Sequence, residues 1–434
     1  LRVVKQIELD QPEPFKRQLL HWAQQFEEVL WLDSNAKSNG DSQTYSSYDV
    51  MLAIDAFTSI KTDWHNAFKK LEEYQKKSND WLFGYLTYDL KNDVENLTSN
   101  NHDQLHFADL CFFQPKKIFL IQGNRLEVQY LNFVSDEIEA DIQAIKNSSF
   151  QILKENSTSK IVIKARTSEA AYLEKVDTML KHIHKGDVYE ANFCQEFYAE
   201  NARINPLDVF EKLNSLSKAP FTTFLRLENQ FLLSASPERY IKKEGTKVIS
   251  QPIKGTMRRS KEALEDKKLA VALCKDIKER SENIMITDLV RNDLSRTAAK
   301  GSVAVEELCG LYSFLQVHQL ISTITSEVSK EMEPVEILRT TFPMGSMTGA
   351  PKVSAMHIIE TLEDAKRGLY SGTVGYFTPE GDFDFNVVIR SILYNAANRY
   401  ISFSVGSAIT AQSIPEKEFE ECLLKAKAMR EVLS

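Results

Sequence analysis

The chain has 434 residues, 43% apolar and 26% charged, with a formal net charge of −8. That composition and length suit a soluble protein built as two or three domains or as one large mixed unit. The mildly acidic balance offers no basic face for nucleic acid, and no run approaches the 18 apolar residues of a membrane span.

The opening stretch, LRVVKQIELDQPEPF, has charges and prolines where a signal peptide needs an apolar core, so a cytoplasmic protein is expected. VVKQIEL, VLWLDS, WLFGYLTYDL and KIFLIQG-NRLEVQYLNFV read as strands, because β-branched and aromatic residues cluster over short spans. TDWHNAFKKLEEYQKK reads as a helix with one charged face. The polar, Ser/Asn-rich 146–160 reads as a connector, which divides the chain into an N-terminal region, 1–150, and a larger region, 160–434. Next comes a helix over 168–186, capped by Ser168 and closed by Gly186. VYEANFCQEFYAE, APFTTFLRLENQFLLSAS and RYIKKEGTKVISQPI read as strands. The spacing of Leu269, Leu273 and Ile277 predicts one long helix over 261–290, and PEKEFEECLLKAKAMREVL predicts a final one. Helices and hairpins mix without βαβ alternation, which favours an α+β fold. Cys111, Cys194, Cys274, Cys309 and Cys422 are widely spaced and form no CxxC, so neither a disulfide framework nor a zinc site is expected. The sequons at Asn96, Asn147 and Asn156 carry no expectation of glycosylation without an export signal.

Two carboxylate pairs stand out. Glu279 and Glu282 lie three apart on one predicted helix, and Glu418 and Glu421 lie three apart on another. Such pairs share a helix face, and carboxylates with retained waters suit Mg²⁺, although acidic helix faces are more often simply solvated. Glu238, in Ser236-Pro237-Glu238-Arg239, is a candidate acid or base at a strand end. Lys254, in QPIKGTMRRS, is a candidate nucleophilic amine; a lysine snorkelling from a turn is the commoner case. FPMGSMTGAPK opens a helix as a Gly-containing loop able to present N–H groups to an anion. It is not a phosphate-binding GxxxxGK[ST] loop. Arg390 can clamp a carboxylate from a strand end, and the Tyr370 hydroxyl can donate to a ligand. A surface ion pair and a packed tyrosine are the ordinary alternatives.

Taken in order, SPERY, PIKGT, SENIMITDLVRNDLSR, FPMGSMTGAPK, YSGTVGYF, IRS and EKEFEECLLKA resemble the chorismate-utilising enzymes, strongly over about 160–434 and loosely before it. That family includes anthranilate, aminodeoxychorismate, isochorismate and salicylate synthases. The resemblance implies an α+β fold of two orthogonally packed β-sheets with helices outside, formed jointly by both parts of the chain. It implies a Mg²⁺ that holds the ring carboxylate of chorismate, with Glu282 and Glu421 as ligands and Glu279 and Glu418 holding metal waters. By the same resemblance Glu238 is the acid/base. Arg390, Tyr370 and Lys425 clamp carboxylates, while Gly255, Thr256, Gly406 and Thr348 complete the pocket.

Lys254 separates the branches. Anthranilate synthases usually read PIAGT, and aminodeoxychorismate synthases read PIKGT. The implied chemistry is therefore amination of chorismate through a lysine adduct, on the route to p-aminobenzoate and folate. The alternatives are anthranilate formation and a non-catalytic chorismate or tryptophan sensor. A lysine beside Mg²⁺ and apolar walls is expected to lose its proton more easily than one in water. Glu190 departs from both the lysine of the water-adding relatives and the usual glutamine of the ammonia-using ones. Gln319 stands where the family has histidine, and Ala408 where it has glycine. No cysteine sits in a nucleophile elbow, so a separate glutamine amidotransferase subunit is expected to supply ammonia.

Overall fold

The computed structural model describes residues 1–36, 45–148 and 161–434. From residue 149 onward the predicted connector, with the sequon at Asn156, lies outside the described residues.

The strands form two antiparallel sheets. In the first, Glu190–Ala199 pairs with Tyr400–Thr410, followed in order by Ser391–Asn395, Gln230–Ser236, Phe221–Leu227, Glu28–Asp33 and Val50–Thr62. In the second, Leu82–Leu86 pairs with Thr373–Phe377, followed by Phe383–Asn386, Arg239–Glu244, Lys247–Gln251 and Val317–Glu327. Ile253–Arg258 and Ala304–Ser313 both lie against Val317–Glu327. The sheets join through two long strands, Val50–Thr62 and Leu110–Gln122, whose pairing is broken by a bulge between Ala56 and Thr58. One end of Leu110–Gln122 pairs with Leu82–Leu86 and the other with Arg125–Leu131. Strands that pass between sheets through a bulge are how orthogonally packed sheets turn their corners. With helices outside, this is the α+β architecture expected.

VLWL, in Glu28–Asp33, reads as a continuous apolar run because both faces of that strand are covered. Val29 and Trp31 enter one core with Phe197, Phe403 and Met429. Leu30, between them, enters the other with Phe83, Phe112 and Phe385. None of the described helices is long and apolar enough to cross a membrane.

The long helix expected over 261–290 is two helices, Ala263–Lys275 and Ile277–Ser295. Asp276 takes an extended backbone, φ −68° and ψ 116°, and its carboxylate accepts the Glu279 N–H at 3.1 Å. An aspartate that caps a helix competes with the helix before it. The apolar step of four therefore fails at the break, where Leu273 is buried and Ile277 is 81% exposed. The helices at Ser168 and at the C-terminal end form as read, whereas WLFGYLTYDL is a strand only over Leu82–Leu86 and turns as a 3₁₀ helix at Tyr88–Leu90. Ser168 caps Glu169–Lys185 by accepting from Ala171, and the final helix spans Pro415–Leu433.

Candidate active site

Asp276 sets the geometry of the site, because restarting the helix puts Glu279 and Glu282 in its first two turns. Glu418 and Glu421 occupy the equivalent place in Pro415–Leu433. The positive end of a helix dipole favours carboxylates there. All four act on one ammonium, that of Lys278, with Glu282 first, then Glu418, Glu279 and Glu421. Lys278 Nζ stands 3.8 Å from Glu282 Oε1. Burial pushes Glu282 up to about 7 and raises Glu279 and Glu418 as well. For Glu421 burial acts in the same sense, but the Lys425 ammonium at 2.6 Å, assisted by Lys278, outweighs it and holds the carboxyl low.

Among the described residues no three His, Cys, Asp or Glu side chains already converge on an ion-sized point. The donor set nevertheless fits a hard divalent cation. Glu282 Oε1 is buried with no hydrogen-bond partner, and three carboxylates resist ionising without more positive charge beside them.

Lys254 faces this cluster from the strand Ile253–Arg258. The ladder to Val317–Glu327 slips between Ile253 and Thr256, which frees Lys254 and Gly255 from regular pairing. Gly255 has φ +95°, and a Cβ there would stand 3.3 Å from Glu279 Oε2. Glycine is needed both for the left-handed backbone and for the close approach of that carboxylate. Asn283 ties helix to strand, donating to the carbonyls of Lys254 and Leu320, each at 3.1 Å.

The surroundings of Lys254 are not those expected. Its Nζ donates to Glu190 Oε1 at 3.0 Å, and the two side chains are only 13% and 2% exposed. Burial works to lower the lysine pKa, but Glu190, then Glu282 and Glu238, outweigh it and hold the proton on the amine. The walls around the amine are thus carboxylates and not the apolar ones expected, and with no cation beside them they favour the charged lysine. Glu238 is itself buried. Burial pushes it up to about 7, against a hydrogen bond with Ser346 and the Lys254 charge. It is thus a carboxyl that can both give and take a proton near neutral pH.

Arg390 is the clearest ligand-seeking group. It has φ +51° just before Ser391–Asn395, and its guanidinium makes no hydrogen bond or ion pair with any described residue. Burial alone lowers its pKa. A half-buried guanidinium without a partner among the described residues is suited to pairing with a carboxylate. Lys425 reaches back to Gly406 O at 3.1 Å. A Cβ on Gly406 would collide with the Asn192 side-chain oxygen and with Cys194 Sγ. Tyr370 is buried and its hydroxyl accepts from the Cys194 thiol at 3.8 Å. Thr348 is fully buried, with its hydroxyl turned to the carbonyls of Met344 and Gly345. Thr256 is exposed opposite Gln319 in the ladder, and Gln319 buries a carbonyl oxygen that has no partner. Ala408 lies opposite Asn192.

Lys254, Gly255, Glu190, Glu238 and the four glutamates thus come together. Gly406, Lys425 and Tyr370 follow along the strand pairing that begins at Glu190. Sequence reasoning missed Lys278, Asn283, Asn192 and Ser346. The last lies within FPMGSMTGAPK, and Asn283 follows Glu282 directly, so position beside a motif was the available signal. Lys352, in the same loop, pairs with the buried Asp293 at 2.6 Å and so holds the loop to the Ile277–Ser295 helix.

A sequence profile of the chorismate binding enzymes matches residues 15–431. Aminodeoxychorismate synthase component 1 of Escherichia coli is 36% identical over 340 residues, covering 78% of this chain and 73% of that protein. Anthranilate synthase component 1 of Thermus thermophilus is 34% identical over 354 residues, covering 80% and 76%. Anthranilate synthase component I from Streptococcus pneumoniae superposes with a TM-score of 0.79 at 25% identity, covering 89% of this chain and 93% of that one. The menaquinone-specific isochorismate synthase of Escherichia coli shares the fold, with a TM-score of 0.77 at 16% identity over 100% and 95% of the two chains.

Proposed function

The chain belongs to the chorismate binding enzymes, and on that premise we propose that it converts chorismate and ammonia to 4-amino-4-deoxychorismate, as component I of an aminodeoxychorismate synthase. The observation that carries this reading is Lys254, a buried amine between the acid/base carboxyl of Glu238 and the glutamate cluster. Lys254 attacks C2 of chorismate. Glu238, with its proton retained near neutrality, protonates the departing 4-hydroxyl. Ammonia then enters at C4 and expels the lysine, so one difficult substitution becomes two easier ones. Arg390, Lys425 and Tyr370 hold the substrate carboxylates, and Thr348, Gly255, Thr256 and Gly406 shape the pocket. A Mg²⁺ held by Glu282 and Glu421, with waters on Glu279 and Glu418, would neutralise the ring carboxylate.

The decisive experiment is product identification. The purified chain with chorismate, Mg²⁺ and an ammonium salt should form 4-amino-4-deoxychorismate, read by mass spectrometry, with no pyruvate. Anthranilate with pyruvate would establish the other amination, and a hydroxylated product would make water the nucleophile. Glutamine alone should give no product until a separate amidotransferase subunit is added, since none of the five cysteines sits in a Gly-rich elbow.

A second test addresses the clamp. Arg390→Ala should raise KM for chorismate about 10- to 100-fold, the worth of one or two charge-assisted hydrogen bonds, with a smaller change in kcat. An unchanged KM would remove Arg390 from the substrate site.

A further inference from the structure

Glu190 is 1% exposed and sits on the first residue of the strand Glu190–Ala199. One of its oxygens accepts from Lys254 at 3.0 Å, and the other is buried without a hydrogen-bond partner. Among the described residues this is the only ion pair of Lys254; no metal-cluster glutamate lies within ion-pair distance of its ammonium. A carboxylate this buried, 3.0 Å from the amine and with its second oxygen unpartnered, is placed to accept the proton of that amine.

We propose that Glu190 is the positioning residue that takes the proton from Lys254, so that the nucleophilic amine is generated inside the pair and not by loss of a proton to solvent. This rests on the aminodeoxychorismate reading above. The steps balance. Glu190 accepts one proton from the Lys254 ammonium. The freed lone pair forms the bond to C2, both ring double bonds shift by one position, and the C4–O bond breaks as the oxygen takes a proton from Glu238, so water leaves. Ammonia then forms the bond to C4 and the C2–N bond breaks. The lysine departs as a neutral amine and recovers its proton from Glu190, while the new C4 ammonium returns a proton to Glu238.

In the ground state the proton stays on lysine. Glu190 faces the amine from one strand, Glu282 from the Ile277–Ser295 helix and Glu238 from the turn after Gln230–Ser236, and all three are acidic. Glu279 and Glu421 see the same charge from further away. A lysine among so many carboxylates gives up its proton to bulk water only at high pH. Transfer within the pair leaves its total proton count unchanged, and so does not depend on pH while the pair holds one proton.

That difference is measurable without ammonia, because the first half-reaction stops at the lysine adduct. The adduct is followed by intact-protein mass spectrometry after mixing enzyme with chorismate and Mg²⁺. Below about pH 7, where Glu238 remains protonated, the wild-type rate should be flat with pH. For Glu190→Gln it should fall about tenfold per pH unit towards acid, because the amine must then be freed by solvent. Glu190→Asp should restore the flat profile. Chorismate binding to both variants, measured calorimetrically, should stay within a few-fold of wild type, which separates chemistry from misfolding.

The same slope in wild type and Glu190→Gln, or an aspartate variant as steep as the glutamine one, would overturn the proposal. Absence of adduct in wild type that still makes 4-amino-4-deoxychorismate would overturn the covalent step and this proposal with it, leaving the product assignment standing. Anthranilate and pyruvate on addition of ammonia would instead overturn the reading on which it rests.

Discussion

Lys254→Ala is expected to lower ammonia-dependent turnover of chorismate on the order of 10³-fold, about 4 kcal/mol of transition-state stabilisation. The loss should fall on kcat. Arg390 and the glutamate cluster, which carry the substrate's carboxylates in this mechanism, are untouched, so KM should change little. The substitution also leaves Glu190 buried without its cation. Breaking a buried pair in this way costs about 3–5 kcal/mol unless the survivor takes up a proton. The variant should therefore melt lower than wild type, and Lys254→Ala combined with Glu190→Ala should recover part of that stability without recovering activity. Recovery of stability alone separates the nucleophile from the structural ion. Full turnover by Lys254→Ala with ammonia would refute the nucleophile.

Glu282→Ala is expected to abolish activity at ordinary Mg²⁺, and Glu421→Ala to do the same. Losing a direct ligand should exceed the roughly 10- to 100-fold that loss of an outer-shell partner costs a metal site. Stability should move the other way. The folded-state pKa of Glu282 is raised from 4.5 to about 7, so its ionisation opposes folding. That cost grows as pH rises from about 4.5 to about 7 and then stays constant, reaching about 3 kcal/mol. In EDTA above neutrality, Glu282→Ala should therefore melt at or above the wild-type temperature while being inactive. Added Mg²⁺ should raise the wild-type melting temperature and leave that of Glu282→Ala unchanged. Wild-type activity that persists in excess EDTA would remove the metal from the mechanism.

Much of this arrangement was legible in the chain because it is local. The helix cap at Ser168, the strand character of APFTTFLRLENQFLLSAS and the i, i+3 glutamates are each decided within a few residues. The break at Asp276 was also local, but the four-residue spacing of Leu269, Leu273 and Ile277 hid it. A polar cap and an apolar stripe compete, and here the cap wins because Ile277 has no core to enter. The pairing of Lys254 with Glu190 could not be read, since it joins residues 64 apart on different strands. The lysine environment was expected to be apolar for the same reason: a strand shows which residues alternate, not what the neighbouring element presents. Likewise the isolation of Arg390 is a property of everything around it, and only the folded chain reveals that no described residue answers its charge.

The pairing of early strands with late ones carries a consequence for how the chain is made. Glu28–Asp33 lies between Val50–Thr62 and Phe221–Leu227, and Leu82–Leu86 lies between Leu110–Gln122 and Thr373–Phe377. On a ribosome, the early strands of each pair emerge long before their later neighbours exist. At about 5–20 residues per second, the roughly 200 residues between Glu28 and Phe221 take on the order of ten seconds or more to synthesise. During that interval VLWL and LFGYL offer open, apolar edges of the kind that aggregate. The candidate site, whose residues run from 190 to 425, can assemble only after the last helix is released. Nascent chains of this protein should therefore depend on holding chaperones, and truncation anywhere before the final helix should yield insoluble material and not a smaller enzyme.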